Sequence, residues 1–404
     1  MQRLLLVGVG LTGRPYVAAA RRLGVRLHVV ETEQQAATLT GEADDLTVSR
    51  GMSDEAWYEA VSEAVRTARP DGVVAFSEPH VLAAALIADE LGLPGPSLRA
   101  AALSRNKALQ RARFAAAGIG QPDFLVTERP ADARAWAAEH MPVVIKPLSS
   151  AGSSGVELVA DPAAYDEAAV RRDGEGRLLV ERAVTGPEYS WEALVREGKV
   201  WCANLTAKET TGPPHFVETA HRTVADVSGG EQDVVARLGA DVIEAMGVDT
   251  GLVHLEFRLT ASGPAVMEVA VRTPGDRLMD LLGMAYGVDW YEMVIRAALG
   301  RELPEPPTAS CRTASYLPSA RPGTVTGIQG LDEVLAHPHV VEAAVSVAPG
   351  DEVAPLRSSA GRVGHVLLRA PDAQTLRSAL DDVRGTLHVR TRQDGPRRDS
   401  GPSI

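Results

Sequence analysis

The hairpin-like stretch LVHLEFRLTASGPAVMEVAVR, residues 252–272, concentrates charged groups that could act together. It reads as two strands about a turn centred on Ser262, which sets Glu256 directly opposite Glu268. His254 and Arg258 then share the face of the first carboxylate, while Val266, Ala270 and Arg272 share that of the second. Like charges opposed across strands are destabilising unless a cation bridges them. Two carboxylates beside a phosphate site suit Mg2+, which takes one or two such ligands and completes its shell with water and phosphate oxygens. Arg272 on the same face can stabilise charge on a phosphoryl group in transfer. The plainer alternative is a solvated acidic face with one pairing to Arg258.

A phosphate site is legible upstream. Of 41 basic residues only four are lysine: Lys107, Lys146, Lys199 and Lys208. In a chain so biased to arginine, lysine is expected where a compact point charge is wanted. Lys199, in the turn REGK, reads as a surface residue. Lys107 opens a helix, and Lys146 ends the apolar strand VVIK, at the rim where α/β ligands bind. Directly after it, SSAGSSGV at 149–156 offers backbone N–H groups with little side-chain obstruction, through Ser150, Gly152, Ser153, Ser154 and Gly155. Such a loop by itself is also a common flexible connector. Further on, Glu181 ends a strand and Glu188 follows in LLVERAVTGPEYSWEALV. An adenine can pair with backbone groups of the hinge that contains Ala183 and Val184, and a carboxylate can accept from both ribose hydroxyls.

The elements that must position these groups fall into three parts. Residues 1–95 alternate strand and helix, with strands at 4–8, 26–30 and 72–76, and predict a Rossmann-like parallel sheet. Residues 96–303 begin with a helix over 104–117 and continue with strands at 143–146 and 178–181 and hairpins at 189–206 and 252–271. The helix over 230–246 lies between the hairpins. ELPEPP at 302–307 reads as a linker to an α+β segment over 308–390, and the tail 391–404 is expected to be disordered. The first strand runs into Gly8-x-Gly10-x-x-Gly13, with Glu31 ending the next strand, which is the dinucleotide-binding fingerprint. A nicotinamide-dependent oxidoreductase is therefore a rival reading, although glycines equally serve a tight strand-to-helix turn.

Composition narrows the classes. The chain of 404 residues, 45% hydrophobic and 23% charged, is ordinary for a globular protein. A formal charge of −12 argues against broad nucleic-acid binding. No apolar run reaches membrane-spanning length, and Cys202 and Cys311 form no metal spacing, so a cytoplasmic protein is expected.

Taken in order, Lys107, Lys146, the glycine loop, Glu181 with Glu188, Glu256, Glu268 and Arg272 resemble the ATP-grasp superfamily. The resemblance spans about residues 1–390. It implies an α/β and α+β fold with a Rossmann-like pre-ATP-grasp domain, an ATP-grasp domain in subdomains of about 104–180 and 181–303, and a small C-terminal domain. Lys107 and Lys146 would hold phosphates, Glu181 and the hinge adenine, Glu188 ribose, and Glu256 with Glu268 Mg2+ or Mn2+. Within the superfamily the chain looks most like L-amino acid ligases and related carboxylate–amine ligases of bacterial specialised metabolism, through HFVETAHR at 215–222, RTPGD at 272–276 and YLPSARPG. That likeness gives Glu218 the amino group of an amino-acid substrate and sets His221 beside the reacting carboxyl, though His221 is equally an ordinary loop histidine. Ala270 stands where the family usually has asparagine, so one metal ligand is missing. The implied reaction joins a small carboxylate to an amine through an acyl phosphate, in a protein that is usually dimeric. Carboxylation or formyl transfer on the same fold, and an ATP-binding scaffold without turnover, are the other readings.

Overall fold

The computed structural model describes residues 1–227 and 229–393. Its N-terminal sheet is parallel, with the strands in the order Asp45–Ser49, Arg26–Thr32, Arg3–Val7 and Gly72–Ala75. Arg3–Val7 is a continuous apolar run because both of its faces are covered. Leu4 and Leu6 enter one core with Tyr16 and Trp290, while Leu5 and Val7 enter another with Trp57 and Ile87. The edge strand Asp45–Ser49 escapes the sequence pattern, since DLTVS is mostly polar and only Ser49 is fully buried.

The dinucleotide fingerprint is real in sequence and closed in structure. Glu31 is 3% exposed, and one carboxylate oxygen accepts from Val9 N at 2.7 Å and Gly10 N at 2.9 Å, the other from Thr32 N at 2.7 Å. The amide nest that a pyrophosphate would need is thus filled by the protein's own carboxylate. Gly8, at φ +78°, is pressed against His80, and a Cβ there would lie 1.9 Å from the imidazole. Glu31→Gln keeps the size but turns a donor towards these amides. It is expected to cost about 1.5–3 kcal/mol in denaturant unfolding, and the wild-type protein is expected to leave NADH fluorescence unchanged on titration.

Two antiparallel sheets carry the middle of the chain. The smaller runs Phe124–Thr127, Leu178–Arg182, Val143–Pro147, Glu157–Val159 and packs on the helices Arg134–Glu139 and Pro162–Arg171. The larger has eight strands, in the order Gly263–Ala270, Gly251–Thr260, Glu188–Arg196, Lys199–Thr210, Glu218–Thr223, Arg312–Tyr316, Gly364–Ala370 and Val340–Val345. It crosses the ELPEPP segment without interruption, so the C-terminal region shares its backbone ladder. The helix Gly229–Met246 buries Val235, Leu238, Val242 and Met246 against this sheet. It approaches so closely that a Cβ on Gly239 would stand 2.7 Å from the Trp191 ring.

Three local expectations are corrected. The helix expected over 104–117 begins only at Lys107 and ends at Ala117, after a separate helix Leu98–Ser104, because Asn106 leaves helical geometry and its side chain caps Ala108 N and Leu109 N. The hairpin turn is not centred on Ser262. Thr260 pairs with Gly263, leaving Ala261 and Ser262 as the turn, and a bulge at Met267 adds the residue that restores Glu256 opposite Glu268. That bulge also turns Val266 into the core, fully buried and off the carboxylate face. Lastly, the tail expected from residue 391 still carries structure at its start. His388–Arg392 is a strand paired with Gly323–Gln329, and residues 394–404 of the expected disordered tail lie outside the described residues. Among the described residues no helix is long and apolar enough to cross a membrane.

Candidate active site

The two antiparallel sheets face each other across a cleft of about 360 Å³. Val144 and Leu158 of the small sheet, with Phe216 and Met267 opposite, line an apolar slot beside the hinge 182–186, a shape suited to a flat heteroaromatic base. Met267 is the bulge residue, which explains how a hairpin side chain comes to sit there.

Of the residues expected at the nucleotide and the metal, all but Gly155 line this cleft. Lys107, the first residue of its helix, donates to Ser150 O at 2.6 Å and pairs with Glu268 at 2.9 Å. Lys146 pairs with Glu181 at 2.6 Å, and Arg111 holds the other Glu181 oxygen. Burial alone would raise the Glu181 carboxyl, but Arg111 and Lys146 keep it below the usual carboxylate range. Its side chain is therefore committed to Lys146 and Arg111. Glu188 takes Arg258 at 2.7 Å and Lys208 at 3.1 Å, so Arg258 does not neutralise the opposed pair Glu256 and Glu268.

The loop 149–156 takes left-handed backbone at Gly152 and Gly155, φ +63° and +72°, where glycine does so freely, and at Ser153, φ +57°, where a side chain makes it strained. Ser150 Oγ donates to Ser154 O at 2.9 Å and Ser153 Oγ to Phe216 O at 3.2 Å.

Lys208 is the residue that sequence reading passed over. Its ammonium, with the side chain 1% exposed, lies 3.1 Å from Glu188, 3.0 Å from Glu256 and 3.3 Å from Glu218. Burial would lower it, yet these carboxylates hold it well above its ordinary value, and Glu256 is held well below its own. The scarcity of lysine was the available signal. A second bulge, at Thr219, puts Glu218 opposite Thr210 and His221 opposite Lys208, so both reach the face of Lys208 although they are three residues apart.

Glu218 lines the cleft, but His221 does not. It is 2% exposed, and its Nε2 meets Asp276 at 2.8 Å, which in turn binds Arg362. Arg272 does line the cleft, and Glu78 from the N-terminal sheet's rim orients it at 3.2 Å. A buried bond of 2.8 Å between Tyr16 and Thr273 anchors the same loop.

Behind Glu256, His254 bridges to the buried Glu192, at 3.1 Å and 3.0 Å. Burial would lower His254, but the hydrogen bonds to Glu192 and Glu256 push it up to about 9. A group raised on folding stabilises fully below its unfolded value and ceases to do so as pH climbs through the folded one. Stability of the nucleotide-free protein is expected to fall by up to about 3 kcal/mol between pH 6.5 and 9. Urea denaturation across that range checks this, and His254→Gln should remove the slope.

Among the described residues no three His, Cys, Asp or Glu side chains form a ready metal cage. Glu256 and Glu268 alone suit an ion that fills its shell from phosphate and water. Ala270, 2% exposed beside them, contributes no ligand.

Three family models match the chain. They are the ATP-grasp N-terminal domain at 17–95, the ATP-grasp domain at 139–280 and the L-amino acid ligase C-terminal domain 2 at 315–392. The chain has the ATP-grasp domain architecture. An uncharacterized protein of Sinorhizobium fredii, y4rH, is 29% identical to this chain over 392 residues, 94% of the chain and 80% of the relative. Carnosine synthase 1 of Gallus gallus is 28% identical over 366 residues, 81% of the chain but 39% of the synthase. The chain thus spans about two fifths of that relative's length. The crystal structure of an L-amino acid ligase from Bacillus licheniformis superposes with a TM-score of 0.82 at 22% identity, covering 97% of this chain and 99% of that one.

Proposed function

We propose that this ATP-grasp protein is a ligase that joins a small carboxylate, an amino acid, to an amine through an acyl-phosphate intermediate, releasing ADP and phosphate. The observation that carries the reading is the single cleft in which an apolar base slot, two buried lysines, an opposed carboxylate pair and an oriented arginine follow one another. The L-amino acid ligase C-terminal match supports the choice of substrate class.

In this mechanism the hinge and apolar slot hold adenine, Glu188 takes the ribose hydroxyls, and Lys107 and Lys146 hold the phosphates. Glu256 and Glu268 would hold Mg2+, which when bound neutralises phosphate charge. Glu218 binds the substrate's amino group and so aims its carboxylate at the γ-phosphate for in-line attack. Arg272 compensates the charge that develops on the transferred group. The 149–156 loop excludes water from the acyl phosphate. The amine then attacks the acyl carbon, phosphate leaves, and the amine's proton passes to solvent or a nearby base. No protein nucleophile is needed, so rate comes from positioning and electrostatics.

The experiment is ADP and phosphate release with Mg-ATP against amino acids, singly and in pairs, with Glu268→Gln as control. Release that requires a particular pair and disappears in the variant supports the reading. Release driven by bicarbonate or formate without an amine would replace it with carboxylation or formyl transfer.

A further inference from the structure

A short turn of the C-terminal region, Ser359–Gly361, with Arg362 after it, meets residues that line the cleft. Ser359 N donates to Gly152 O in the glycine loop at 3.0 Å, and Ser359 Oγ donates to Glu218 Oε2 at 3.0 Å. Arg362 Nε donates to Ser359 O at 2.9 Å, and its other nitrogens clasp Asp276, which holds His221. One turn therefore touches the loop over the phosphates, the carboxylate proposed for the substrate amino group, and the support of His221. The contacts are sheltered, with the Arg362 and Asp276 side chains 13% and 17% exposed.

We propose that Ser359 and Arg362 are positioning residues of the active site, which fasten the glycine loop in its closed shape and set Glu218 for the amino-acid substrate, Arg362 also holding the Asp276 that meets His221. The assignment for Glu218 rests on the ligase reading above; the fastening of the loop does not. The physical reason is preorganisation. Glu218 has one cation, Lys208, at 3.3 Å, and the Ser359 hydroxyl fixes its second oxygen. Because the same residue holds Gly152 through its backbone, loop closure and amino-acid recognition share a part and must be thermodynamically coupled.

Three substitutions separate these roles. Ser359→Ala removes only the hydroxyl and Ser359→Thr retains one. Ser359→Pro removes the N–H as well, at the first position of a turn, where proline is tolerated. Ser358, at φ −157° and ψ 170°, already has the extended backbone that precedes proline. With the substrate pair in hand, Ser359→Ala is expected to raise KM for the amino acid about tenfold, leave kcat and KM for ATP near wild type, and be rescued by threonine. Arg362→Gln is expected to lower kcat, with no further loss in a His221→Asn background. Hydrogen exchange of the 150–155 amides, measured with a non-hydrolysable ATP analogue alone, is expected to be slow in wild type and Ser359→Ala and fast in Ser359→Pro. Unchanged KM in Ser359→Ala, or equal exchange in Ser359→Pro and wild type, would overturn the proposal. If no amino acid supports ADP release, the ligase reading fails while the exchange experiment still reports on the fastening.

Discussion

Replacement of Lys208 by methionine is expected to cost about 3–5 kcal/mol, a fall in Tm of roughly 10 °C, because it strips a buried cation from carboxylates that stay behind. Glu188 would keep Arg258 and Glu256 would keep His254, but Glu218 would be left with the Ser359 hydroxyl. The loss is therefore expected to centre on Glu218 and to shrink as pH falls towards about 4, where carboxylates protonate. Differential scanning calorimetry at pH 7 and pH 5 reads both effects. A variant as stable as wild type at pH 7 would mean that the ammonium contributes nothing beyond its own desolvation. Nucleotide binding gives the functional side: ATP should still raise Tm, since the slot proposed for the base and the two lysines proposed for the phosphates are untouched.

The largest kinetic effect is expected at Arg272. Arg272→Gln should lower amine-dependent ADP release about 10³-fold through kcat, with KM for ATP within a small factor of wild type. Glu78 acts only by orienting that guanidinium, so Glu78→Gln should cost about tenfold, within the range known for groups that orient a functional one. Steady-state kinetics on both variants, and on the double variant, check the order. Loss in Arg272→Gln confined to KM for ATP would move the arginine from the reacting centre to the nucleotide. Equal losses in the two single variants would make Glu78 a direct participant.

What the sequence could and could not disclose follows from the range of each interaction. A lysine opening a helix, a lysine near a strand end and opposed carboxylates are local patterns, and Lys107, Lys146, Glu256 and Glu268 all meet in one cleft. The bulges at Met267 and Thr219 were not legible, because a single extra residue leaves no mark on a period of two. They nevertheless decide which side chains enter the cleft. The break before Lys107 was visible in principle, since Asn106 is a good cap, but the apolar spacing on either side masked it. Asp276 and Arg362 are 86 residues apart, and Ser359 and Glu218 are 141 apart. No spacing rule reaches such distances. Glu31 entered the reading only through the rival dinucleotide fingerprint, because a carboxylate that serves a ligand and one that replaces it look the same in a motif.

The uninterrupted eight-stranded sheet limits how the gene can be cut. A fragment ending within the ELPEPP segment would retain the ATP-grasp match at 139–280 yet lose strand Arg312–Tyr316 from the ladder. Glu218–Thr223 would become a bare margin, its Ala220, His221 and Arg222 positions stripped of their neighbours and open to strand addition from another copy. Shortened expression variants of this kind should be recovered as aggregates, and split-protein or domain-swap designs will need their junctions elsewhere.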